Sequence, residues 1–356
     1  MIKRLLLVLL SAIMMLSFAA CGAKEASQEI SQEKSLEDKK AEIEALDADP
    51  FYKEMKLFEG NRPISLMIDN DSDAARPQIG LESAYMVYEI VVEGRATRFM
   101  ALFNNFNLEK VGPVRSSRHY FLDYGMEHDA IYAHAGWSPK AAKDIQALGI
   151  NNINGVAGDG AIYWRDNTYD STWHNLYTAT TKLSARADEK QYRRTTDVKI
   201  PNYNMKDETP VGTEVSEISI PYANFYKVTY KYDEAEKRFI RYVNNKPHDS
   251  QTGETLSTKN IIMYTVKNKD LPDTENKGRQ DLENIGSGTG YYFSDGMMVE
   301  INWSKASREA KTEYTLKDGT PLMLNPGNTF IQIVPEYIDV ETVLKGAVAE
   351  PLQKVE

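Results

Sequence analysis

The sequence predicts two folded parts: an α/β domain with a mixed sheet, followed by a smaller, mostly antiparallel β-domain. In the first part, β-rich apolar runs alternate with helical patterns, which is typical of an α/β sandwich. In the second part, Asp-Gly pairs separate alternating apolar segments, which is the strongest short-range signal of a β-hairpin. We place the α/β domain at residues 51–205, the β-rich domain at 215–340 and a C-terminal tail at 341–356.

The predicted α/β domain contains strands rich in β-branched and aromatic residues. The run "AYMVYEIVVEG" is almost continuously apolar, which favours a strand covered on both faces. Two helices are expected, one from Ser117 to about Glu127 and one that follows Ser138 and stops at Gly149. Ser138 is a favourable N-cap, and Pro139 suits the first helical position. The strands are expected at 62–70, 84–94, 97–105 and 130–136.

The β-rich domain is predicted from hairpin patterns. The segment "FYKVTYKYDEAEKRFIRYVNN" is typical of two strands around a charged loop. Two further hairpins are expected to turn at Asp295-Gly296 and Asp318-Gly319, and "NPGNTFIQIVP" is a last strand. Residues 200–215, which contain two prolines and a glycine, are expected to connect the domains.

The chain opens with MIKRLLLVLLSAIMMLSFAACGAK. A basic start, an apolar run too short for a membrane span and a small-residue end predict a signal peptide at residues 1–20. The only cysteine, Cys21, ends the lipobox-like sequence Phe18-Ala19-Ala20-Cys21. We expect Cys21 to be lipidated, with palmitate among the acyl groups. The alternative is an ordinary secretory signal in which the cysteine is unmodified.

Residues 21–50 are charged and lack aromatic side chains, which predicts a flexible tether. No later segment is apolar enough to span a bilayer, so the expected membrane contact is through lipid on Cys21 alone. These patterns predict an extracytoplasmic lipoprotein of the cell envelope, anchored in the cell membrane and facing outward. With no thiol after Cys21, a disulfide or a cysteine nucleophile within the folded part is excluded.

The segment "KVGPVRSSRHYFLDYG" concentrates positive charge in an acidic chain. The formal net charge is −10, which argues against general nucleic-acid binding. Arg115 and Arg118 lie at a predicted helix start, where free N–H groups favour anions, and Ser116 offers a hydroxyl. Arg98 lies on the preceding strand, within reach in a sheet. The competing interpretation is that the arginines pair with Glu89, Glu93 and Asp123 and only stabilise the fold.

Other candidate ligand-binding residues are histidines and one amide. His119 follows Arg118, His134 lies near a predicted strand end, and His174 is followed by Asn175. A lone histidine is more often structural than functional. Candidate ligands for a divalent cation such as Mg²⁺ are the carboxylates of Asp69, Glu89 and Glu93.

The chain resembles the YerB-like family of bacterial lipoproteins. The resemblance covers residues 62 to 335 and lies in "RPISLMIDN", "ARPQIGLESAYMVYEIVVEGRATRF", "VGPVRSSRHYFLDYGMEHDAIYAHAGWSP", "WHNLYT", "GSGTGYYFSDG" and "LNPGNTFIQIVP". It implies a larger N-terminal and a smaller C-terminal domain, and a lipid-anchored location. The family is largely of unknown function, so the resemblance implies no reaction.

The order "TRFMALF", "VGPVRSSR", "AIYAHAGWSPKAAKDIQALGI" is similar to the LytR-CpsA-Psr family of wall-polymer transferases. Those enzymes hold the pyrophosphate of a polyprenyl-linked glycan with arginines and a divalent metal. The resemblance implies that Arg98, Arg115 and Arg118 contact a pyrophosphate. The sequence departs from that family where an acid follows the first arginine, since Ala96 follows Arg95 and Phe99 follows Arg98.

Three functional hypotheses follow. In the first, the α/β domain binds an anionic envelope ligand through Arg98, Arg115 and Arg118, with His134 and His174 in the same cleft. The second is a Mg²⁺-dependent phosphotransferase or hydrolase acting on polyprenyl-pyrophosphate-linked wall polymer. The third is a scaffold that contacts an envelope protein and takes no small ligand. The sequence leaves open whether the protein is an enzyme.

Overall fold

The computed structural model describes residues 60–104, 106–198, 202–204, 206–272, 277–345 and 350–351. The predicted signal peptide, Cys21 and the predicted tether lie outside the described residues. Residues Glu54–Glu356 form one compact unit. In the described part, no helix is both long and apolar enough to cross a membrane.

The described residues of the N-terminal half form short strands, three α-helices and several 3₁₀ turns. The helices are α1 (His119–Glu127), α2 (Pro139–Ala147) and α3 (Thr180–Glu189). The strands are β1 (Ile64–Asn70), β2 (Met86–Val91), β3 (Thr97–Phe103), β4 (Ile131–His134), β5 (Asn152–Asn154), β6 (Trp164–Arg165) and β7 (Leu176–Tyr177).

The described C-terminal half consists of strands and turns. They are β8 (Thr213–Ala223), β9 (Tyr226–Asp233), β10 (Arg238–Val243), β11 (Lys246–Pro247), β12 (Ser257–Thr258), β13 (Asn260–Val266), β14 (Asn268–Asp270), β15 (Gln280–Leu282), β16 (Gly286–Ser294), β17 (Met297–Lys305), β18 (Thr312–Leu316), β19 (Thr329–Pro335), β20 (Glu341–Leu344) and β21 (Glu350–Pro351).

A single mixed sheet runs through both halves of the protein. Its strand order is β5-β4-β1-β3-β2-β19-β13-β16-β17-β18. The two halves meet where β2 pairs in parallel with β19, and β19 in turn pairs in parallel with β13. The C-terminal half is mostly antiparallel, as predicted, and these parallel pairs join it to the N-terminal half without a break in the sheet.

Two layers cover the faces of this sheet. The meander of β8, β9 and β10 packs on one face, where the Tyr222 hydroxyl donates to Gln332 Oε1 on β19 at 2.8 Å. Helix α1 covers the other face, where the rings of Tyr88 and Tyr124 stack with centroids 4.9 Å apart. Strand β2 is therefore buried on both faces, which explains its continuous apolar run.

Most predicted elements of the α/β domain are present, with small shifts. Ser138 caps α2, and its hydroxyl accepts a hydrogen bond from the Ala141 N–H. Helix α1 begins at His119 rather than Ser117, and its N-cap is Arg118, whose side chain makes no capping bond. Ser117 is instead held by the Tyr132 hydroxyl, which donates to its Oγ at 2.9 Å.

The hairpin predictions hold for β9–β10 and β16–β17. After the turn at Asp318-Gly319, the chain makes only a single bridge, between Thr315 and Pro321, so the second arm of that hairpin is not a regular strand. The segment predicted as a tail supplies β20, which pairs antiparallel with β8.

The contact between the sheet and the meander is centred on an ion pair. Glu89 on β2 and Arg241 on β10 are both completely buried, with 2.8 Å between Oε2 and Nη2. The other carboxylate oxygen of Glu89 accepts hydrogen bonds from Thr97 Oγ1 at 2.7 Å and the Tyr226 hydroxyl at 2.6 Å. Arg241 Nε donates to His248 Nδ1 at 3.0 Å. Every charge is compensated, which a buried ion pair requires.

We expect Arg241→Met to lower the free energy of unfolding by about 3–5 kcal/mol, because Glu89 would stay buried with no cation. The double variant Glu89→Gln/Arg241→Met is expected to regain part of this loss. Urea unfolding followed by circular dichroism measures both. Arg193→Gln is the control, since it breaks an exposed pair with Asp129 and should cost less than about 1 kcal/mol. Strictly additive effects of the two single substitutions would contradict the coupling.

Candidate functional site

Charged side chains collect where the central strands end. Strands β1 and β2 both pair antiparallel with β3, so the carboxyl ends of β1 and β2 lie beside the start of β3. Asp69 lies opposite Arg98 in this register. Asp71 follows β1 directly, and Glu93 begins the turn that leads from β2 to β3. Gly94 in that turn has φ +66°, a backbone conformation that suits glycine.

An open cleft of about 540 Å³ lies over these strand ends, and we call it the strand-end cleft. Both halves of the chain contribute to its walls. It is lined by Asp71, Val92, Glu93, Gly94, Ala96, Arg98, Arg115, Ser116, Arg118, Phe225, Lys277 and Arg279.

Arg98 is the most deeply placed cation of the cleft, with only 4% of its side chain exposed. Its Nη2 lies 3.0 Å from both carboxylate oxygens of Asp71, and its Nη1 donates to the Ser116 carbonyl at 2.7 Å. Burial would lower the pKa of Arg98, but the negative charges of Asp71, Asp69 and Glu93 have the larger effect and raise it overall. Arg98 is thus held rigidly by the fold.

Arg115 is more accessible, with 26% of its side chain exposed. Its Nε lies 2.9 Å from Asp69 Oδ2, and its Nη2 donates to Asp71 Oδ2 at 3.0 Å. In the described part of the chain, its Nη1 has no hydrogen-bond partner. Arg115 therefore keeps donor capacity for a ligand.

Arg118 forms a two-point pair with Glu93. The distances are 2.6 Å from Nε to Oε1 and 2.8 Å from Nη2 to Oε2. Burial would raise the pKa of Glu93, but the hydrogen bonds and charge of Arg118 lower it overall. Burial would likewise raise the pKa of Asp71, but the charges of Arg98 and Arg115 lower it overall. Both carboxylates therefore stay ionised at neutral pH.

Positive charge exceeds negative charge in the cleft. Among the described lining residues, five side chains are cationic, namely Arg98, Arg115, Arg118, Lys277 and Arg279, and two are carboxylates, Asp71 and Glu93. Asp69 is a third carboxylate at the cleft, because it pairs with Arg115. The protein as a whole carries −10. Such a local excess attracts anions.

His174 supports the cleft from behind. Its Nδ1 lies 2.7 Å from Asp69 Oδ2, and its Nε2 lies 3.3 Å from Ser72 Oγ. The hydrogen bond with Asp69 raises the pKa of His174 above its ordinary value. Asp69 thus links His174 to Arg115, so the charge of the imidazole acts on the cleft through that carboxylate.

The other predicted ligand-binding residues have different surroundings. Ser116 lines the cleft, but its hydroxyl donates to the Ala135 carbonyl. His119 points to Asp281 on β15, with 2.5 Å between Nε2 and Oδ1. His134 is fully buried and bonds the Gly136 carbonyl, and burial lowers its pKa to about 4. Asn175 bonds Arg165 and Asn167 near the β6–β7 pair. His119, His134 and Asn175 do not line the cleft.

The three carboxylates considered for Mg²⁺ do not share one site. Glu89 pairs with Arg241 in the core, Glu93 pairs with Arg118, and Asp69 pairs with Arg115 and His174. Among the described residues, no group of three or more His, Cys, Asp or Glu side chains is arranged to hold a metal ion.

Sequence reasoning missed seven of the cleft residues, three of which, Val92, Gly94 and Ala96, lie within three residues of the candidate Glu93. Asp71 follows Asp69 at a predicted strand end, so the spacing could have indicated it. Phe225, Lys277 and Arg279 come from the C-terminal half, more than 100 residues from the arginine segment, and no local pattern marks them. Only the joined sheet brings them to the cleft.

Comparison with known proteins supports the two-part organisation. Residues 52–193 match a family described as "Protein of unknown function (DUF3048) N-terminal domain". Residues 218–331 match the corresponding C-terminal domain. The strand-end cleft takes residues from both matched segments.

The lipoprotein YerB of Bacillus subtilis is similar over most of both chains. It is 31% identical over 297 residues, which cover 82% of this chain and 86% of YerB. The crystal structure of the Bacillus subtilis YerB protein superposes with a TM-score of 0.70 at 29% identity, covering 80% of this chain and 95% of that one. The chain therefore belongs to the YerB-like, DUF3048 family, a lipoprotein family of unknown function.

Proposed function

We propose that this protein binds an anionic ligand of the cell envelope in the strand-end cleft, while lipid on Cys21 holds it at the outward face of the cell membrane. The ligand class is a molecule that carries phosphate or pyrophosphate groups. The supporting observation is that Arg115 keeps exposed surface and an unused Nη1 in an open cleft that Arg98 and Arg118 also line. Guanidinium groups bind such oxyanions through two parallel hydrogen bonds.

In this proposal, Arg98 and Arg115 have different roles in the cleft. Arg98 is buried and bonded on two sides, so it orders the strand ends. Arg115 has exposed surface and an unused Nη1, so it contacts the ligand. Lys277 and Arg279 of the C-terminal half also line the cleft. Asp69 and Asp71 hold Arg115 in place and limit the repulsion between neighbouring guanidinium groups.

A scaffold without a small ligand is the second candidate. The observation that favours it is that Arg98, Arg115 and Arg118 each contact a carboxylate within the chain. In that case the arginines would serve stability, and the cleft would bind no anion with useful affinity. Substitution of Arg115 separates the two candidates, because its guanidinium is partly exposed and Asp69 keeps His174 as a partner when Arg115 is replaced.

We expect Arg115→Gln to weaken the binding of inorganic pyrophosphate about 10- to 100-fold, because a charge-assisted hydrogen bond is lost. Isothermal titration calorimetry on the full chain measures the affinity. The unfolding free energy should change by less than in Arg98→Ala, because the glutamine amide can still donate to Asp69, which also keeps His174 as a partner.

Arg193→Gln is the matched control for this experiment. It removes the same charge from an exposed arginine that does not line the cleft, so pyrophosphate affinity should stay unchanged. Absence of pyrophosphate binding by the wild type, or equal affinities of Arg115→Gln and wild type, would favour the scaffold. Repeating the titration with Mg²⁺ and a polyprenyl pyrophosphate, followed by a product assay, tests the transferase or hydrolase hypothesis.

His174 makes a pH dependence testable. Its pKa is raised above the ordinary 6.5, so the ring is protonated below its folded-state pKa and adds charge behind Arg115. Anion binding is therefore expected to be strongest at low pH and to weaken as the pH rises through that pKa. Sulfate is a suitable probe, since its own charge is constant between about pH 6 and pH 9, while Asp71 and Glu93 stay ionised.

His174→Gln is the variant for this test, because an amide can still donate to Asp69 and carries no charge. In the variant, the affinity for sulfate should no longer fall as the pH rises above 6.5. Identical pH profiles for the variant and the wild type would show that His174 does not act on the cleft.

The anchor is tested at Cys21. We expect the wild-type protein to incorporate an alkyne-tagged palmitate during growth, and Cys21→Ser to lose the label, because no other cysteine exists in the chain. Ser17→Ala is the control and should remain labelled. Protease treatment of intact cells with permeable walls tests the outward orientation. An unlabelled wild type would contradict the anchor.

A further inference from the structure

A second cavity lies away from the strand-end cleft, on the face of the sheet that carries α1. It has a volume of about 400 Å³, and we call it the His128 cavity. This size is within the range of small-molecule sites. Its walls come from both halves of the chain, since Met86 and Tyr88 on β2 and His128 after α1 face Ile331 on β19 and segments around β18.

Most of the wall is apolar. Met86, Ile262, Leu322, Leu324 and Ile331 line the cavity, and all five are buried. Apolar walls bind the body of a ligand by removing it from water. They do not select between ligands of similar shape, so selection depends on the polar groups at one end.

The polar end is an ordered hydrogen-bond network. The Tyr88 hydroxyl lies 2.5 Å from Glu127 Oε1 and 2.8 Å from His128 Nε2. Glu127 Oε2 accepts from Lys305 Nζ at 2.7 Å and from Thr312 Oγ1 at 2.7 Å. Lys305 and Thr312 both donate to Glu127, so the charge of the Lys305 ammonium group compensates this carboxylate.

This network determines which nitrogen of His128 carries the proton. The single hydroxyl hydrogen of Tyr88 goes to the Glu127 carboxylate, so the Tyr88 oxygen is left to accept. His128 Nε2 must then donate to Tyr88, which leaves Nδ1 as a bare acceptor. Within the described residues, Nδ1 has no hydrogen-bond partner, although the imidazole lines the cavity.

We infer that the His128 cavity binds a small, uncharged, largely apolar molecule that donates a hydroxyl or N–H hydrogen to His128 Nδ1. This site is separate from the strand-end cleft, and its existence does not depend on anion binding there. The donor supplies a hydrogen bond to Nδ1, which has no partner among the described residues.

The same groups exclude an anionic head group. An anion would place its negative charge against the lone pair of Nδ1. Protonation of His128 does not remove that conflict at neutral pH, because burial lowers its pKa to about 4. Lys305 already neutralises Glu127, and the two other charged residues of the wall, Lys311 and Glu313, carry opposite charges, so the lining has no net positive charge. The cavity therefore differs in chemistry from the cationic strand-end cleft.

The test compares two probes of nearly equal shape, 2-naphthol and naphthalene, by ligand-observed NMR titration of the full chain. We expect 2-naphthol to bind saturably, and about tenfold more tightly than naphthalene, since one additional hydrogen bond is formed. His128→Phe keeps a ring but removes the acceptor, so it should abolish this preference while naphthalene affinity is retained.

Leu322→Trp fills the cavity and should raise the dissociation constant of both probes at least about tenfold, because the apolar space is occupied. Thr315→Trp, which fills the same space from β18, replaces it if Leu322→Trp fails to fold. A cooperative unfolding transition establishes folding of each variant. Equal affinity of the wild type for the two probes, no saturable binding of 2-naphthol, or unchanged binding by a folded tryptophan variant would overturn the inference.

Discussion

The buried pair of Glu89 and Arg241 constrains the rest of the structure. Two opposite charges without solvent contact are tolerated only when the remaining donors and acceptors are also satisfied, and here Thr97, Tyr226 and His248 complete the set. The pair fixes the meander against β2, and Thr97 is also the first residue of β3. The same network therefore sets where β3 starts, and with it the position of the charged side chains at the strand ends.

The core and the strand-end cleft use charge in different ways. In the core, the carboxylate of Glu89 pairs with the guanidinium of Arg241, and both side chains are fully buried, so no ligand can reach them. In the cleft, carboxylates are outnumbered by cations from both halves, and Arg115 retains surface and an unused donor. This contrast distinguishes ion pairing that serves folding from ion pairing that holds a cation ready for a ligand.

The sequence was informative about local structure and less so about contacts between distant segments. The cap at Ser138 and the turn at Asp295-Gly296 depend on neighbouring residues, so their patterns predicted them. Arg115 and Arg118 of the arginine segment line a cleft together with Arg98, and anion binding there stays a prediction. Glu89, however, was considered as a metal ligand, whereas its partner Arg241 lies 152 residues away. The periodicity of apolar residues indicates which face of a strand is buried, but it does not indicate which distant residue packs against that face.

The insertion of β19 between β2 and β13 has a consequence for biogenesis. One edge of β2 pairs with β19, which ends at residue 335. The N-terminal half therefore cannot complete its sheet until that late segment has been synthesised. Such late, long-range pairing slows folding and leaves an apolar strand edge open to other chains in the meantime. A gene fragment that encodes either half alone would keep that edge open permanently, so the two halves are expected to be inherited together.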